Sequence, residues 1–107
     1  MGLDVSLRLR NKVTGEIRDL SDNGYRGSDF KFVKQYMTDI NKYGEYVEIT
    51  DEVYDILVKG GKETLKVVGY EYDCFGEDWG LMGFIKTLHL REFYGSFGYV
   101  LEVEADW

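Results

Sequence analysis

The segment near the amino terminus alternates between apolar and polar residues. In residues 3–10 every odd position is leucine or valine and every even position is polar or charged. Successive side chains of a β-strand point to opposite faces of a sheet, so this period of two gives one strand with one apolar face. We predict a strand over Leu3–Arg10, followed by a turn and a second hairpin strand within residues 16–20.

A first helix is predicted after this hairpin. Apolar residues recur every three or four positions between Phe30 and Tyr43. Ser28 is placed to cap the start of the helix, and Gly44 stands where a left-handed residue commonly ends one.

A second, shorter helix is predicted after Thr50, whose hydroxyl can cap it. Gly60-Gly61 is expected to end this helix, because glycine lowers helix propensity. The residues at 46–49 fit a short extended piece between the helices. The segment Glu63–Tyr72 is rich in valine and tyrosine and predicts a further strand, followed by a loop over 73–80.

The last third of the chain carries two conflicting patterns. The apolar positions of 81–88 fit a helix, but Gly95-Ser96 fits the two-residue loop of a β-hairpin. With that loop, Leu88 and Leu90 face Val103 and Leu101, and a slip of one residue would set both leucines opposite glutamates. We therefore favour the hairpin over the helix.

Together these elements predict an α+β fold. The expected architecture is an antiparallel sheet of four or five strands with two helices packed on one face and a C-terminal β-hairpin. The 107 residues contain no proline and no low-complexity linker, so we expect a single domain over 1–107. Hydrophobic residues make up 44% of the chain, which is too many for a disordered segment.

Negative charge is concentrated in the later part of the chain. The net charge is −7. Residues 1–42 hold eight lysines and arginines against six acidic residues, whereas residues 43–107 hold five against fourteen. This charge disfavours nucleic acid and anionic membranes as direct partners and favours a basic protein surface.

Aromatic residues make up 16% of the chain, more than one small core easily encloses. Tyrosines placed among acids give a surface with an apolar body and a polar rim, which is typical of protein interfaces. The alternative is that these rings cover the core from one face of the sheet. The predicted interface, in an oligomeric state left open, consists of Tyr43, Glu45, Tyr46, Glu48, Asp51, Glu52, Tyr54, Asp55, Tyr70 and Tyr72.

A small-ligand or divalent-metal site, with or without enzymatic activity, is the alternative function. Asp73, Glu77 and Asp78 place three carboxylates in one loop, where they could hold a hard cation. His89 is the only histidine, but in the predicted hairpin it faces Glu102, and charge pairing explains that position without a function. The chain has no phosphate-binding glycine loop, so we expect no cofactor and favour a non-catalytic role.

Cys74 is the only cysteine, which excludes an internal disulfide framework and an all-cysteine metal cage within one chain. The amino terminus also lacks the basic and then apolar layout of a secretory signal. Both features lead us to expect a reducing compartment and a cytoplasmic location.

The opening Met1-Gly2-Leu3-Asp4, which runs directly into a strand, resembles a group of small uncharacterised bacteriophage proteins. The likeness covers only these first residues, and Val5-Ser6 departs from the aromatic-containing continuation of that group. The resemblance implies no catalytic residue. It implies a phage or prophage origin, where small acidic domains serve as accessory proteins that bind and block host machinery.

Overall fold

The alternating amino-terminal segment is a central strand of a five-stranded sheet. The computed structural model describes residues 2–20, 25–68 and 80–107. A short 3₁₀ turn at Ser28–Phe30 leads into the first helix. The strands and helices, in chain order, are β1 (Asp4–Asn11), β2 (Ile17–Asp19), β3 (Tyr25–Arg26), α1 (Lys31–Asp39), β4 (Val47–Glu48), α2 (Asp51–Val68), α3 (Leu81–His89), α4 (Arg91–Ser96) and β5 (Tyr99–Asp106).

The sheet is antiparallel and has the order β2-β1-β5-β4, with β3 also paired to β1. The central strands β1 and β5 pair along eight residues, and Arg8 lies opposite Glu102. The edge strand β4 pairs with the outer side of β5 through Val47 and Glu48. The predicted α+β class is confirmed, and β4 and β5 form a hairpin-like antiparallel pair.

One face of the sheet is apolar and packs against the helices. The odd-numbered residues of β1 from Val5 to Leu9 are buried, and so are Leu101, Val103 and Ala105 of β5. Helical residues complete the same hydrophobic cluster. The even-numbered side chains of β1 point to the opposite face, as the alternation predicts, and are half-buried.

The first helix forms where the apolar spacing predicts it, but both of its ends differ from the prediction. Ser28 belongs to the 3₁₀ turn and makes no capping hydrogen bond through its side chain. At the other end, the main-chain N–H groups of Asn41 and Lys42 donate to the carbonyls of Thr38 and Met37. Asn41 is left-handed, with φ of 57°. This Schellman pattern ends α1 before Tyr43, so Gly44 is not its cap.

The second helix begins as predicted and continues further than predicted. The amide of Val53 donates to the Thr50 hydroxyl at 3.4 Å, so Thr50 is the cap. The helix runs through Gly60-Gly61 to Val68, which makes the strand prediction wrong for residues 63–68. A Cβ added at Gly60 would lie 2.7 Å from Cδ2 of Phe32, so the missing side chain allows α1 and α2 to pack closely. The predicted residues 69–72 and most of the loop over 73–80 lie outside the described residues.

The predicted pairing of residues 87–94 with 97–104 is wrong. Residues 81–89 and 91–96 form helices α3 and α4, so Gly95-Ser96 lies in a helix and not in a hairpin loop. The apolar positions of α3 fill the core through Leu81, Phe84, Ile85 and Leu88. In the structure β5 pairs with β1, whose Val5, Leu7 and Leu9 lie opposite Ala105, Val103 and Leu101 on the apolar face.

Candidate functional site

Five carboxylates of the predicted interface follow one another along the edge strand and into α2. Glu45 precedes β4, Glu48 lies in it, and Asp51, Glu52 and Asp55 lie in the first turns of α2. All five residues are exposed to solvent. We refer to these five residues as the acidic edge. Acidic residues at a helix start are also favoured by the positive end of the helix dipole, which explains Asp51 and Glu52 locally.

The acidic edge ends where the charge of α2 changes sign. Beyond Asp55, the outward side of the helix carries Lys59, Lys62 and Lys66 along a shallow groove. The positions 55, 59, 62 and 66 fall on one side of a helix. The uninterrupted run of carboxylates therefore ends at Asp55, and beyond it Glu63 lies among the lysines that line the groove.

The tyrosines of the predicted interface occupy different environments. Tyr43 is 56% exposed. Tyr46 and Tyr54 are half-buried. The Arg8 guanidinium lies 3.6 Å from the ring centroid of Tyr46, and the Arg91 guanidinium lies 5.2 Å from that of Tyr54. Tyr70 and Tyr72 lie outside the described residues.

An ion-pair network occupies the polar face of the sheet beside the acidic edge. The side chain of Glu102 is only 8% exposed and accepts from Nε of Arg8 at 2.8 Å and from Nε of Arg10 at 3.1 Å. Arg10 also lies 3.9 Å from a carboxylate oxygen of Glu48. The register explains the network, because Arg8, Glu102 and Glu48 are direct neighbours across three strands. The two arginines compensate the buried charge of Glu102.

Two further groups on this face titrate away from their ordinary values. Burial raises the pKa of Tyr46, and the nearby Glu104 and Asp19 carboxylates raise it further. Burial likewise raises the pKa of the Glu104 carboxyl, and the negative charge of Asp106 adds to the rise while Arg8 opposes it. Burial is thus the main cause of both shifts, and the Arg8 cation on the same face partly offsets them.

A second polar cluster joins the start of α2 to α4. Nη2 of Arg91 donates to the Asp51 carboxylate, and its Nη1 donates to the Ile49 carbonyl at 3.4 Å. Arg91 lines a cleft of about 290 Å³. The cleft carries both signs of charge, because it is also lined by Lys12, Glu48, Asp51 and Glu92. Asp51 is 91% exposed, so its pairing with Arg91 leaves it at the surface of the acidic edge.

The structure places His89 away from the partner predicted for it. His89 is exposed at the end of α3, and its Nδ1 lies 2.7 Å from the Tyr54 hydroxyl. Its predicted neighbour Glu102 binds the two arginines instead. Asp73, Glu77 and Asp78 lie outside the described residues, as does Cys74. Among residues 2–20, 25–68 and 80–107, no three metal-ligating side chains gather in one place.

Three aromatic residues, the exposed Phe93 and Phe97 and the half-buried Trp107, were not part of the predicted interface. Phe93 and Phe97 are 57% and 65% exposed, and their ring centroids lie 5.2 Å apart. Their spacing of four residues is a helical signal, but the predicted hairpin concealed it. Trp107 packs edge-on against Tyr43, with ring centroids 4.8 Å apart. No spacing could reveal this pair, because 64 positions separate the two residues.

No protein-family model, curated protein or solved structure matches this chain. None of the helices that the structure describes has both the length and the hydropathy of a membrane span.

Proposed function

We propose that this chain is a non-catalytic binding module whose acidic edge docks on a basic surface of a protein partner. The observation that carries the proposal is the run of five exposed carboxylates from Glu45 to Asp55. No lysine or arginine interrupts the sequence between Lys42 and Lys59. A surface of one charge attracts a complementary surface and guides its approach, and dissolved salt weakens that attraction.

The resemblance of the first four residues to bacteriophage proteins extends this proposal to a class of partner. We propose that the partner is a host protein that handles nucleic acid. Such proteins carry clustered lysine and arginine side chains to neutralise phosphates, and an acidic module that covers this cluster competes with the nucleic acid. The module would then act as an inhibitor of its partner.

Affinity capture from host lysate, at low and at raised salt, identifies the partner and tests the charge dependence. The test variant reverses three edge charges through Glu45→Lys, Glu52→Lys and Asp55→Lys. The matched control reverses three exposed carboxylates outside the edge through Asp39→Lys, Glu63→Lys and Glu92→Lys. Both variants change the net charge equally. We expect the edge variant to lose the partner and the control to retain it.

The same pair of variants separates docking from a purely protective role. Charges on an edge strand also prevent unwanted pairing between sheets, and this alone would explain why Glu48 lies in β4. If protection is their only role, the edge variant captures the same partner as the control, because Glu48 is retained and lysines also protect a sheet edge. Equal capture by both variants at low salt therefore rejects the proposal.

A further inference from the structure

A pair of aromatic rings, the exposed Tyr43 and the half-buried Trp107, lies beside the acidic edge. The Tyr43 hydroxyl donates to the main-chain carbonyl of Trp107 at 3.0 Å, and the two ring planes are inclined at 80°. Tyr43 is two residues from Glu45, and Trp107 directly follows Asp106. The hydrogen bond and the edge-on contact hold the rings in place before any partner arrives, so binding would cost little ordering of these side chains.

A positively charged group, the ammonium of Lys34, already lies over the indole ring of Trp107. Nζ of Lys34, a residue of α1, lies 5.2 Å from the ring centroid. The negative face of an indole attracts cations at this distance, and tryptophan is the strongest aromatic partner for them. Lys34 is exposed, so its ammonium group can move into water when another cation takes its place.

We propose that an arginine side chain of the basic partner replaces the Lys34 ammonium on Trp107, next to Tyr43. This inference rests on the proposed function and names the side chain that the partner supplies. Arginine fits this place better than lysine, since a planar guanidinium stacks on aromatic rings and is more weakly hydrated than an ammonium. The carboxylates of Glu45 and Asp106 are close in sequence to the two rings and add long-range attraction for a cation.

Binding of an unstructured, labelled peptide of arginine and glycine tests the inference through the anisotropy of the label. Trp107→Leu should weaken binding about two- to fivefold, the range that an exposed cation–π contact accounts for. A peptide with lysine in place of every arginine should bind the wild-type chain more weakly. Replacing arginine by lysine should matter less in the Trp107→Leu variant, because the ring that discriminates between them is gone.

The competition with Lys34 provides a sharper test. Lys34→Ala and Lys31→Ala remove the same charge from the same helix, and of these two lysines only Lys34 contacts Trp107. Both variants should bind the peptide more tightly than the wild type because the net charge becomes more negative. The gain in affinity should be about two- to fivefold larger for Lys34→Ala than for Lys31→Ala, because only Lys34→Ala removes the competing ammonium from the ring. Equal gains would overturn the inference.

Each outcome distinguishes this inference from the proposed function. If Trp107→Leu binds like the wild type and Lys34→Ala binds like Lys31→Ala while the triple reversal of the acidic edge abolishes binding, docking stands and the arginine site is wrong. If Trp107→Leu weakens binding and the edge variant does not, the arginine site stands and the acidic edge is wrong. Should Trp107→Leu lower the melting temperature, Trp107→Phe keeps a ring in place and must give intermediate affinity for the inference to hold.

Discussion

Gly60 of α2 lies against the ring of Phe32, and a Cβ at this position would come within 2.7 Å of Cδ2 and within 2.9 Å of Cβ of that residue. Contacts this short are not tolerated, and Phe32 is itself held between Phe30 and Phe84. We therefore expect Gly60→Ala to lower the free energy of unfolding by about 1–3 kcal/mol, the usual cost of overpacking. Urea denaturation measures this change.

The sign of the effect at Gly60 is informative, because alanine normally stabilises a helix relative to glycine. Gly95 of α4 provides the control, since nothing lies within 4 Å of a Cβ added there. Gly95→Ala should raise the free energy of unfolding by about 0.5–1 kcal/mol through helix propensity alone. A stabilising effect at both glycines would mean that α1 and α2 do not approach as closely as described.

Removing the carboxylate of Glu102 should be costly. Glu102→Gln leaves Arg8 and Arg10 on the polar face without their shared anion, and the carboxylate that it replaces is 8% exposed. Loss of charged hydrogen bonds at a largely buried group should lower the free energy of unfolding by about 1–3 kcal/mol. Glu48→Gln is the control, because Glu48 is 51% exposed and lies 3.9 Å from Arg10. Its effect should be below about 0.5 kcal/mol, and similar losses from both variants would contradict the central role of Glu102.

Glu104 should make the protein less stable as the pH rises. Burial and the charge of Asp106 raise the pKa of its carboxyl above the ordinary value of 4.5, so the folded chain holds this proton more tightly than the unfolded chain. Its contribution to stability is complete below pH 4.5 and is lost as the pH rises through the raised pKa. Glu104→Gln removes this loss, so the melting temperature of the variant relative to wild type should increase between about pH 4 and about pH 7.

A control for Glu104 is available on the outer side of α2. Glu63 is exposed, so Glu63→Gln removes a carboxylate without burial, and its change in melting temperature is subtracted from that of Glu104→Gln. A Glu104→Gln variant that becomes relatively less stable at neutral pH would show that its carboxylate is stabilised by Arg8 more than it is penalised by burial.

The two exposed phenylalanines of α4 should contribute little to folding. Phe93→Ser and Phe97→Ser should each lower the free energy of unfolding by less than about 1 kcal/mol, because both rings are more than half exposed. Phe84 is fully buried, and Phe84→Ala should cost about 3–5 kcal/mol. The double serine variant should also bind less of a dye that fluoresces on apolar surfaces. Unchanged dye binding would mean that these rings do not form the main apolar patch.

Local patterns in the sequence were sufficient to predict β1, β2, β4 and β5 as strands, but not the pairing of β5 with β1. The alternation in β1 and the glutamates of β5 place the polar and apolar faces correctly, because side-chain direction in a strand follows from position alone. The continuation of α2 through Gly60-Gly61 could not be predicted in this way. These glycines continue a helix because Phe32 and Ile85, distant in sequence, occupy the space that a Cβ would need.

The surroundings of the candidate site were predictable only in part. Exposure of the carboxylates from Glu45 to Asp55 is expected from their charge, since acidic side chains are rarely fully buried. The placement of Tyr46 and Tyr54 depends on guanidinium groups that reach them from Arg8 and Arg91, and no local spacing indicates such contacts. The aromatic pair at Trp107 depends on the same kind of long-range contact.

The pairing of β1 with β5 limits the rate at which this chain can fold. Contacts between the two central strands join residues that are far apart in the sequence. Arg8 and Glu102, for example, are 94 positions apart. Closing so long a loop costs entropy before any favourable contact forms, so domains dominated by distant pairings cross their folding barrier in milliseconds to seconds. Helices α1 to α4 can form early, but their apolar sides have no sheet to cover until both strands meet. We therefore expect one cooperative transition in which the central pair is the slow step, and no fragment lacking either strand to hold the core.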